Sequence, residues 1–443
     1  MNFLDSLWNE STILPSFEKL KKDEKTDVLI IGGGMAGLLC ARLLCDAGID
    51  CIVAEAEKIA SGVTRHTTAK ITAQHGLIYA EMLEKSGMET ARAYLAANES
   101  AIREYKKMCK NTACDFEEKD SFVYSKNDRE KIANEIRALN SMGFPAEAVK
   151  KIPIPVKVAG AVRFPCQAQF NPLKFISSIS GDLRIFENTK IIKIKKTTAF
   201  TDRGTIEAKK IIVATHFPFI NSHGSYFLKM YQERSFVIAL EGAPDVHGMY
   251  IDGEQGGLSF RNYDGLLLLG GGSRRTGKEG CGWDMLSDFA HANYPKSKIK
   301  YSFATQDCMT LDGIPYIGKY SAFTDNLYVA TGFNKWGMTS SMLSAMILRD
   351  IIIGKDNKYA KVFSPSRSIF HRKLAANIFE SGRNLLTFSK TRCTHLGCAL
   401  KFNSAEHTWD CPCHGSRFTE EGKIIDNPAT KDLHMDNNTK SSG

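Results

Sequence analysis

The spacing of apolar and polar positions divides the chain into segments of two periods. Residues 28–31 are an unbroken apolar run, as a parallel strand buried on both faces requires, and 36–47 follow with helical periodicity up to Gly48, a favoured residue just past a helix end. Residues 51–54 form a second apolar run. The period is helical again over 79–110, with a break expected at Ser86-Gly87, and over the segment that Asn127-Asp128 caps and Gly143 closes. Pro153, Pro155 and Pro165 then mark loops between short strands. From 183 the pattern reads as a strand, a hairpin turning at 201–205 and a buried strand ending near 214. Four antiparallel strands follow at 236–240, 248–251, 258–261 and 266–269, separated by glycine turns. A last buried strand, 327–331, leads through Gly332 into a helix. Residues 1–26 form an amphipathic lead-in, with Phe3, Leu4, Leu7 and Trp8 at helical spacing, expected to pack on the core. Residues 365–389 read as a helical linker, with 385–388 as a strand candidate.

Between the first strand and its helix stands Gly32-Gly33-Gly34-Met35-Ala36-Gly37. In this GxGxxG, Gly32 permits the tight turn, Gly34 lets backbone approach a diphosphate, and Gly37 lets the helix close on the strand. Met35 and Ala36 open the helix, whose first N–H groups face negative charge. Glu55, with Ala56 after it, ends the second strand twenty-three residues beyond Gly32, placed to bond ribose hydroxyls. Strand, turn, helix and acid together mark a dinucleotide site without choosing between FAD and NAD.

The next stretch chooses. Residues 60–70, including Ser61, Gly62, Thr67, Thr68, Ala69 and Lys70, are small and hydroxyl-rich. This stretch resembles the loop by which D-amino-acid-oxidase-like FAD oxidoreductases run past pyrophosphate and flavin. The blocks 210–216, 307–318 and 327–339 resemble later parts of the same family, so the resemblance spans 28 to about 354. It implies FAD, held by a Rossmann-type α/β domain (about 27–78, 183–222 and 305–355) beside an α+β substrate domain (79–182 and 223–304). It also implies that Ile191 lies against adenine and that Ala214, Thr215 and His216 pass close to the flavin. Gly318, Gly332, Phe333, Lys335, Gly337 and Met338 would close over its pyrimidine end, and the antiparallel sheet would roof it. Arg261 ends a strand where family members present a substrate-binding arginine, so it is expected to face the flavin and grip a carboxylate. Lys335 and His216 are further flavin-side candidates. The run Gly270-Gly271-Gly272-Ser273-Arg274-Arg275 lacks a third glycine at the right place and a following helix, so no NAD(P)H site is expected. The segment at Cys308 resembles the flavin-linked cysteine segment of sarcosine oxidases, although an ordinary buried thiol is the preferred reading.

Cysteine usage changes the picture at the C-terminal end. Eight of the twelve cysteines are scattered over the first 308 residues, as a reducing compartment allows, and four fall within 393–413. Cys393-Thr394-His395 and Cys411-Pro412-Cys413-His414 offer two thiolates and two imidazoles, enough for a zinc site. The added cysteines, Gly415-Ser416 and Asn427-Pro428-Ala429 instead resemble the Rieske pattern. That resemblance implies a 2Fe-2S cluster in which Cys393 and Cys411 hold one iron and His395 and His414 the other, with Cys398 and Cys413 joined as a disulfide. The module, 385–436 after a linker at 356–384, is a truncated all-β domain expected to borrow support from the flavoprotein body. Its two imidazoles are expected near the surface. Phe418 stands where high-potential relatives have a tyrosine, and Ser416 keeps a donor to the cluster.

The net charge of +9 is modest, and the basic run within 190–210 alternates like a solvated strand face, so no nucleic-acid partner is expected. No basic-then-apolar leader is visible, and the longest apolar segment, 346–353, is interrupted by Arg349 and Asp350. A soluble, cytoplasmic protein without a membrane span is expected. The reading that joins the motifs is an FAD-dependent oxidoreductase that oxidises a small amine, amino acid or hydroxy acid. It would pass electrons one at a time through a Rieske cluster to an external partner protein. The alternative is an electron-transfer relay without substrate chemistry of its own.

Overall fold

The computed structural model describes residues 6–434, apart from 279, 281 and 369–371. Phe3 and Leu4 lie outside the described residues. The apolar runs form the parallel core of an eight-stranded sheet. Its order is Tyr316–Lys319, Leu327–Thr331, Thr205–Val213, Glu24–Ile31, Cys51–Ala54 and Ile185–Phe186, with the hairpin Lys193–Lys195 and Thr198–Phe200 added to Thr205–Val213. Helices Met35–Asp46 and Gly337–Ile352 lie side by side against it, and almost every apolar residue they carry is buried. Both begin at the end of a buried strand, which places two helix N-termini at one edge of the sheet.

A nine-stranded sheet stands beside the first, in the order Lys298–Thr310, Met230–Glu241, Leu266–Arg275, Ser259–Tyr263, Met249–Asp252, Glu117–Ser125, Gly160–Gln169 and Lys70–Ile71, with Glu147–Val149 on Gly160–Gln169. The glycine run 270–272 continues the strand Leu266–Arg275 as a partner of Met230–Glu241 and forms no nucleotide loop. Lys298–Thr310 pairs with Met230–Glu241 along its whole length, a single strand that runs across the boundary expected at 304/305. Helix Tyr79–Cys109 turns at Gly87, where φ is 79° and ψ 168°, and Asp128 caps Arg129–Ser141 by accepting from Lys131 N at 2.8 Å. Trp8 of the lead-in is fully buried, and its Nε1 donates to Thr67 O at 2.8 Å.

The C-terminal module is a four-stranded antiparallel sheet, Lys401–Asn403, Thr408–Asp410, Arg417–Thr419 and Ile424–Asp426. Residues 385–388 are not a strand: helix Arg372–Leu386 occupies the first two. That helix belongs to the module and does not serve as a linker, because Ala399 N donates to Asn384 O at 3.0 Å and Arg392 Nη1 to Leu385 O at 3.2 Å. No helix among the described residues is long and apolar enough to cross a membrane.

The tightest packing requirement lies in the first turn. A Cβ on Gly37 would stand 1.9 Å from Gly32 O, whereas one on Gly181 would meet nothing within 4 Å. Gly37→Ala is therefore expected to destabilise the protein by about 3 kcal/mol or more, and Gly181→Ala by less than about 0.5 kcal/mol. Denaturant unfolding of the two variants would expose the error if their costs were similar.

Candidate active site and cluster centre

A cavity of about 870 Å³ opens between the two sheets. At one end it is lined by Gly32, Gly34, Met35 and Ala36 at the helix N-terminus, with Glu55, Ala56, Lys190 and Ile191 farther out. A Cβ on Gly32, whose φ is +110°, would meet Ala214 O at 2.6 Å, so only glycine leaves this turn open. Glu55 Oε2 accepts from Gly33 N at 2.6 Å, which turns its carboxylate toward the phosphate turn, and burial raises its pKa. Thr64 Oγ1 accepts from Met35 N at 3.1 Å; the loop was legible in the sequence, but this role was not.

Ser61, Gly62, Thr67, Thr68, Lys70, Ala214, Thr215, His216, Phe333, Lys335, Gly337 and Met338 also line the cavity. Gly37, Ala69, Gly318 and Gly332 do not. Gly37, Gly318 and Gly332 stand at close contacts, against Gly32 O, the Pro365 ring and the Thr310 methyl respectively, and so act on the frame around the cavity.

Arg261 is also absent from the lining, which corrects its expected place. It is fully buried, and its Nη1 donates to Thr68 O at 2.6 Å and Ala69 O at 3.0 Å. Its guanidinium lies 5.7 Å from the Trp8 ring centroid and 5.6 Å from that of Tyr263. Together with Trp8 it satisfies three successive carbonyls of the 67–69 loop, which fixes the loop from behind. Cys308 likewise turns away from the cavity, with Sγ 3.7 Å from Gln232 Oε1. Burial lowers the Lys70 ammonium to about 7, with nearby Arg261 adding to the effect.

The cavity wall opposite the loop comes from two strands whose polar side chains sequence reasoning left without a role. Tyr231, Glu233 and Ser235 face the cavity from Met230–Glu241, and Thr305, Asp307 and Met309 face it from Lys298–Thr310. Lys335 Nζ lies 2.7 Å from both Glu233 Oε2 and Ser273 Oγ. Burial raises Asp307 to about 6, against the pull of Lys335. At the far side His75 stacks on Trp336 with centroids 4.8 Å apart, and burial holds it neutral, at about 3. The signal for this wall was the polar run Tyr231-Gln232-Glu233-Arg234-Ser235 inside a strand that is otherwise apolar.

The alternate residues of the same strands hold the cysteine–histidine module. Gln232 Nε2 donates to His414 O at 2.7 Å and Asn427 O at 2.9 Å, and Gln306 Nε2 donates to Gly415 O at 2.8 Å and Gln232 Oε1 at 3.0 Å. Thr276 Oγ1 donates to Gln306 Oε1 at 2.9 Å. Arg275 reaches Pro412 O and Cys413 O, each at 2.8 Å. Asn427 Nδ2 donates to Phe217 O at 2.7 Å. A Cβ on Gly415 would stand 2.5 Å from Gln232 Cβ, so this glycine sets how closely the module sits.

The two ligand loops share one backbone pattern. Cys393 N donates to Cys398 O and Gly397 N to Cys393 O; Cys411 N donates to Ser416 O and Gly415 N to Cys411 O, all at 2.9 Å. The four predicted ligands, Cys393, His395, Cys411 and His414, come together here, with the His395 and His414 ring centroids 5.1 Å apart. Cys398 and Cys413 form the disulfide. Two observations suit a cluster. His395 Nδ1 is buried with no partner while Nε2 donates to Asn221 Oδ1 at 3.0 Å, and burial lowers both imidazoles, His395 to about 4 and His414 to about 3. Neutral rings with one nitrogen tied by a carbonyl are ready-made metal ligands. His414 corrects the expectation of surface imidazoles: it is 3 % exposed, enclosed by Phe217 and Phe227 of the flavoprotein body.

This geometry defines an FAD oxidoreductase carrying an iron-sulfur module. The FAD dependent oxidoreductase family model matches residues 27–351 and the Rieske 2Fe-2S domain model 367–436, and the chain belongs to the FAD dependent oxidoreductase family. It is 35% identical to YhfW of Bacillus subtilis (strain 168), described as a Rieske 2Fe-2S iron-sulfur protein, over 97% of each chain. The module alone is 44% identical over 59 residues to the chloroplast cytochrome b6-f complex iron-sulfur subunit of Pisum sativum, covering 13% of this chain and 26% of that one. L-proline dehydrogenase from P. horikoshii superposes with a TM-score of 0.67 at 18% identity, covering 78% of this chain and 98% of that one. Glycine oxidase from Geobacillus kaustophilus gives 0.63 at 18%, covering 78% and 99%. These likenesses establish the fold. FAD and a Rieske 2Fe-2S cluster are the cofactors of this enzyme.

Gln232→Leu would leave the carbonyls of His414 and Asn427 without their donor. The expected cost is about 2 kcal/mol or more in chemical unfolding, since buried acceptors lose their partners; a change under about 0.5 kcal/mol would mean that the amide does not hold the module.

Proposed function

We propose that the chain oxidises a small amine, amino acid or hydroxy acid at the cavity and passes the electrons singly through the cluster to an external acceptor protein. The observation that carries this reading is the strand pair Met230–Glu241 and Lys298–Thr310. One of its faces lines the cavity with Tyr231, Glu233, Asp307 and Met309, and the other holds the His414 and Gly415 carbonyls through Gln232 and Gln306. Bound FAD supplies two-electron oxidation and the Rieske cluster one-electron transfer, so the pairing suits a splitting role.

In this reading, Gly32, Gly34 and the helix N-terminus at Met35 receive the diphosphate, and Glu55 takes the ribose hydroxyls. Lys335, between Glu233 and Ser273, stands on the substrate side. Cys393 and Cys411 hold one iron, and His395 and His414 the other. Asn221 keeps His395 in the tautomer that leaves Nδ1 for metal. Ser416 Oγ accepts from Ala429 N at 3.0 Å and stands beside the Cys393 thiol, toward which its own hydroxyl hydrogen is free to turn. Structural neighbours named L-proline dehydrogenase, glycine oxidase and L-amino acid deaminase support the amino-acid part of this substrate class.

Purified protein is expected to contain FAD, iron and acid-labile sulfide together, and anaerobic addition of the right amine, amino acid or hydroxy acid should bleach the flavin. Failure of every member of these classes to bleach it would leave the relay as the better account. Voltammetry gives a second expectation: Ser416→Ala lowers the cluster potential by removing a hydrogen bond to a ligand sulfur, and Phe418→Tyr raises it by adding one. An unchanged potential in both variants would remove Ser416 and Phe418 from the cluster's surroundings.

A further inference from the structure

Glu233 and Asp307 are direct cross-strand partners in the register of Met230–Glu241 and Lys298–Thr310, and both point into the cavity. Like charges directly opposite one another on a sheet are destabilising, so a fold does not place them there for stability. The two acids are unequally served. Glu233 is 2 % exposed and has three donors: Lys335 Nζ at 2.7 Å, Gln255 Nε2 at 2.9 Å and Tyr231 OH at 3.4 Å. Asp307 receives no hydrogen bond from the described residues. Arg234 also draws on Asp307 but is paired with Glu406 of the module, so on the cavity side one lysine serves two carboxylates and the wall is short of one cation.

The other lining cations are occupied. Lys131 pairs with Glu254 at 3.3 Å, Lys190 donates to Thr430 O at 3.0 Å, and Lys70 donates to Thr68 Oγ1 at 3.2 Å. No arginine lines the cavity among the described residues. Next to the acid pair, the cross-strand pair Ser235 and Thr305 presents two buried hydroxyl oxygens that have no partner. A carboxylate with two open hydroxyls beside it matches the three N–H donors of an ammonium group.

We propose that Asp307 receives the ammonium group of the substrate, so that the substrate is a protonated amine, with or without a carboxylate elsewhere, and not a hydroxy acid. The proposal rests on the reading of this cavity as the place of substrate oxidation. Asp307 and the Ser235 and Thr305 hydroxyls together replace the water around the cation, and the fourth charge completes two ion pairs with Glu233 and Lys335.

The test uses the oxidised, FAD-loaded full chain under anaerobic conditions, with binding read from perturbation of the flavin absorbance. The probes are n-butylammonium, butyrate and 2-hydroxybutyrate. Wild type is expected to bind the ammonium ion most tightly. Asp307→Asn should weaken it by roughly tenfold or more, the loss of a hydrogen bond between charged groups, while leaving butyrate binding equal or tighter. Asp307→Glu should restore part of the difference. Because the substitution relieves a like-charge pair, Asp307→Asn should unfold no more easily than wild type, which separates a binding role from a structural one. Equal binding of butylammonium by wild type and Asp307→Asn would overturn the proposal, as would tighter binding of butyrate or 2-hydroxybutyrate by wild type. If butylammonium binds through Asp307 but no amine, amino acid or hydroxy acid bleaches the flavin, the oxidation reading falls and the ammonium site stands. If a hydroxy acid bleaches it and amines do not, the outcome is the reverse.

Discussion

Two buried amides govern how this molecule is put together. Gln232 and Gln306 stand side by side on neighbouring strands, and between them every amide hydrogen and both carbonyl oxygens are used. Three of their four acceptors are backbone carbonyls of the module, His414 and Gly415 in the second ligand loop and Asn427 beyond it. A loop that must hold two ligands of a cluster needs its backbone fixed, and a four-stranded sheet of three-residue strands offers little interior with which to fix it. The flavoprotein body supplies the missing wall. Glu406 adds a second clamp: burial works against its ionisation, but Arg234 of the body and Arg417 of the module hold its carboxyl down at about 2. Arg417 in turn is tied to Asp410 and Asp426.

The same strands cannot bend toward the module without moving the cavity, because successive residues point to opposite faces. Tyr231 and Glu233 flank Gln232; Asp307 precedes Cys308 and follows Gln306. Cavity and ligand loops are therefore two sides of a single layer, and the polar run that looks wrong for a core strand is required by both sides at once. The opposite wall is built on a similar economy: Trp8 and Arg261 fasten the 67–69 carbonyls from behind, so the loop's hydroxyl groups are left toward the cavity.

The dinucleotide motif and the ligand set were legible because each depends on short-range spacing: glycine at fixed positions of one turn, and cysteine and histidine within two short loops. The helix break at Gly87 and the cap at Asp128 could be read for the same reason. Arg261 was misplaced because a strand-end arginine looks the same in sequence whether it faces a ligand or the carbonyls of a loop 193 residues earlier. The surface imidazole expected at His414 failed likewise, since the residues that cover it, Phe217 and Phe227, come from the other domain. Glu233, Asp307, Gln232 and Gln306 were missed because strand pairing over some seventy residues gives them their roles, as in Gln232 facing Cys308. The run of 385–388 was read as a strand from its apolar content alone, although it continues the periodicity of the helix before it.

If the strand pair is the layer that couples the two cofactors, electrons should cross it within one molecule. Pulsed one-electron reduction of the oxidised, fully loaded protein, followed optically at the flavin and cluster bands over a tenfold range of protein concentration, tests this most directly. The account predicts that charge redistributes between the two cofactors in a first-order step whose rate does not depend on concentration. A rate that rises in proportion to concentration would mean that electrons pass between molecules, and the shared layer would then have no part in their transfer.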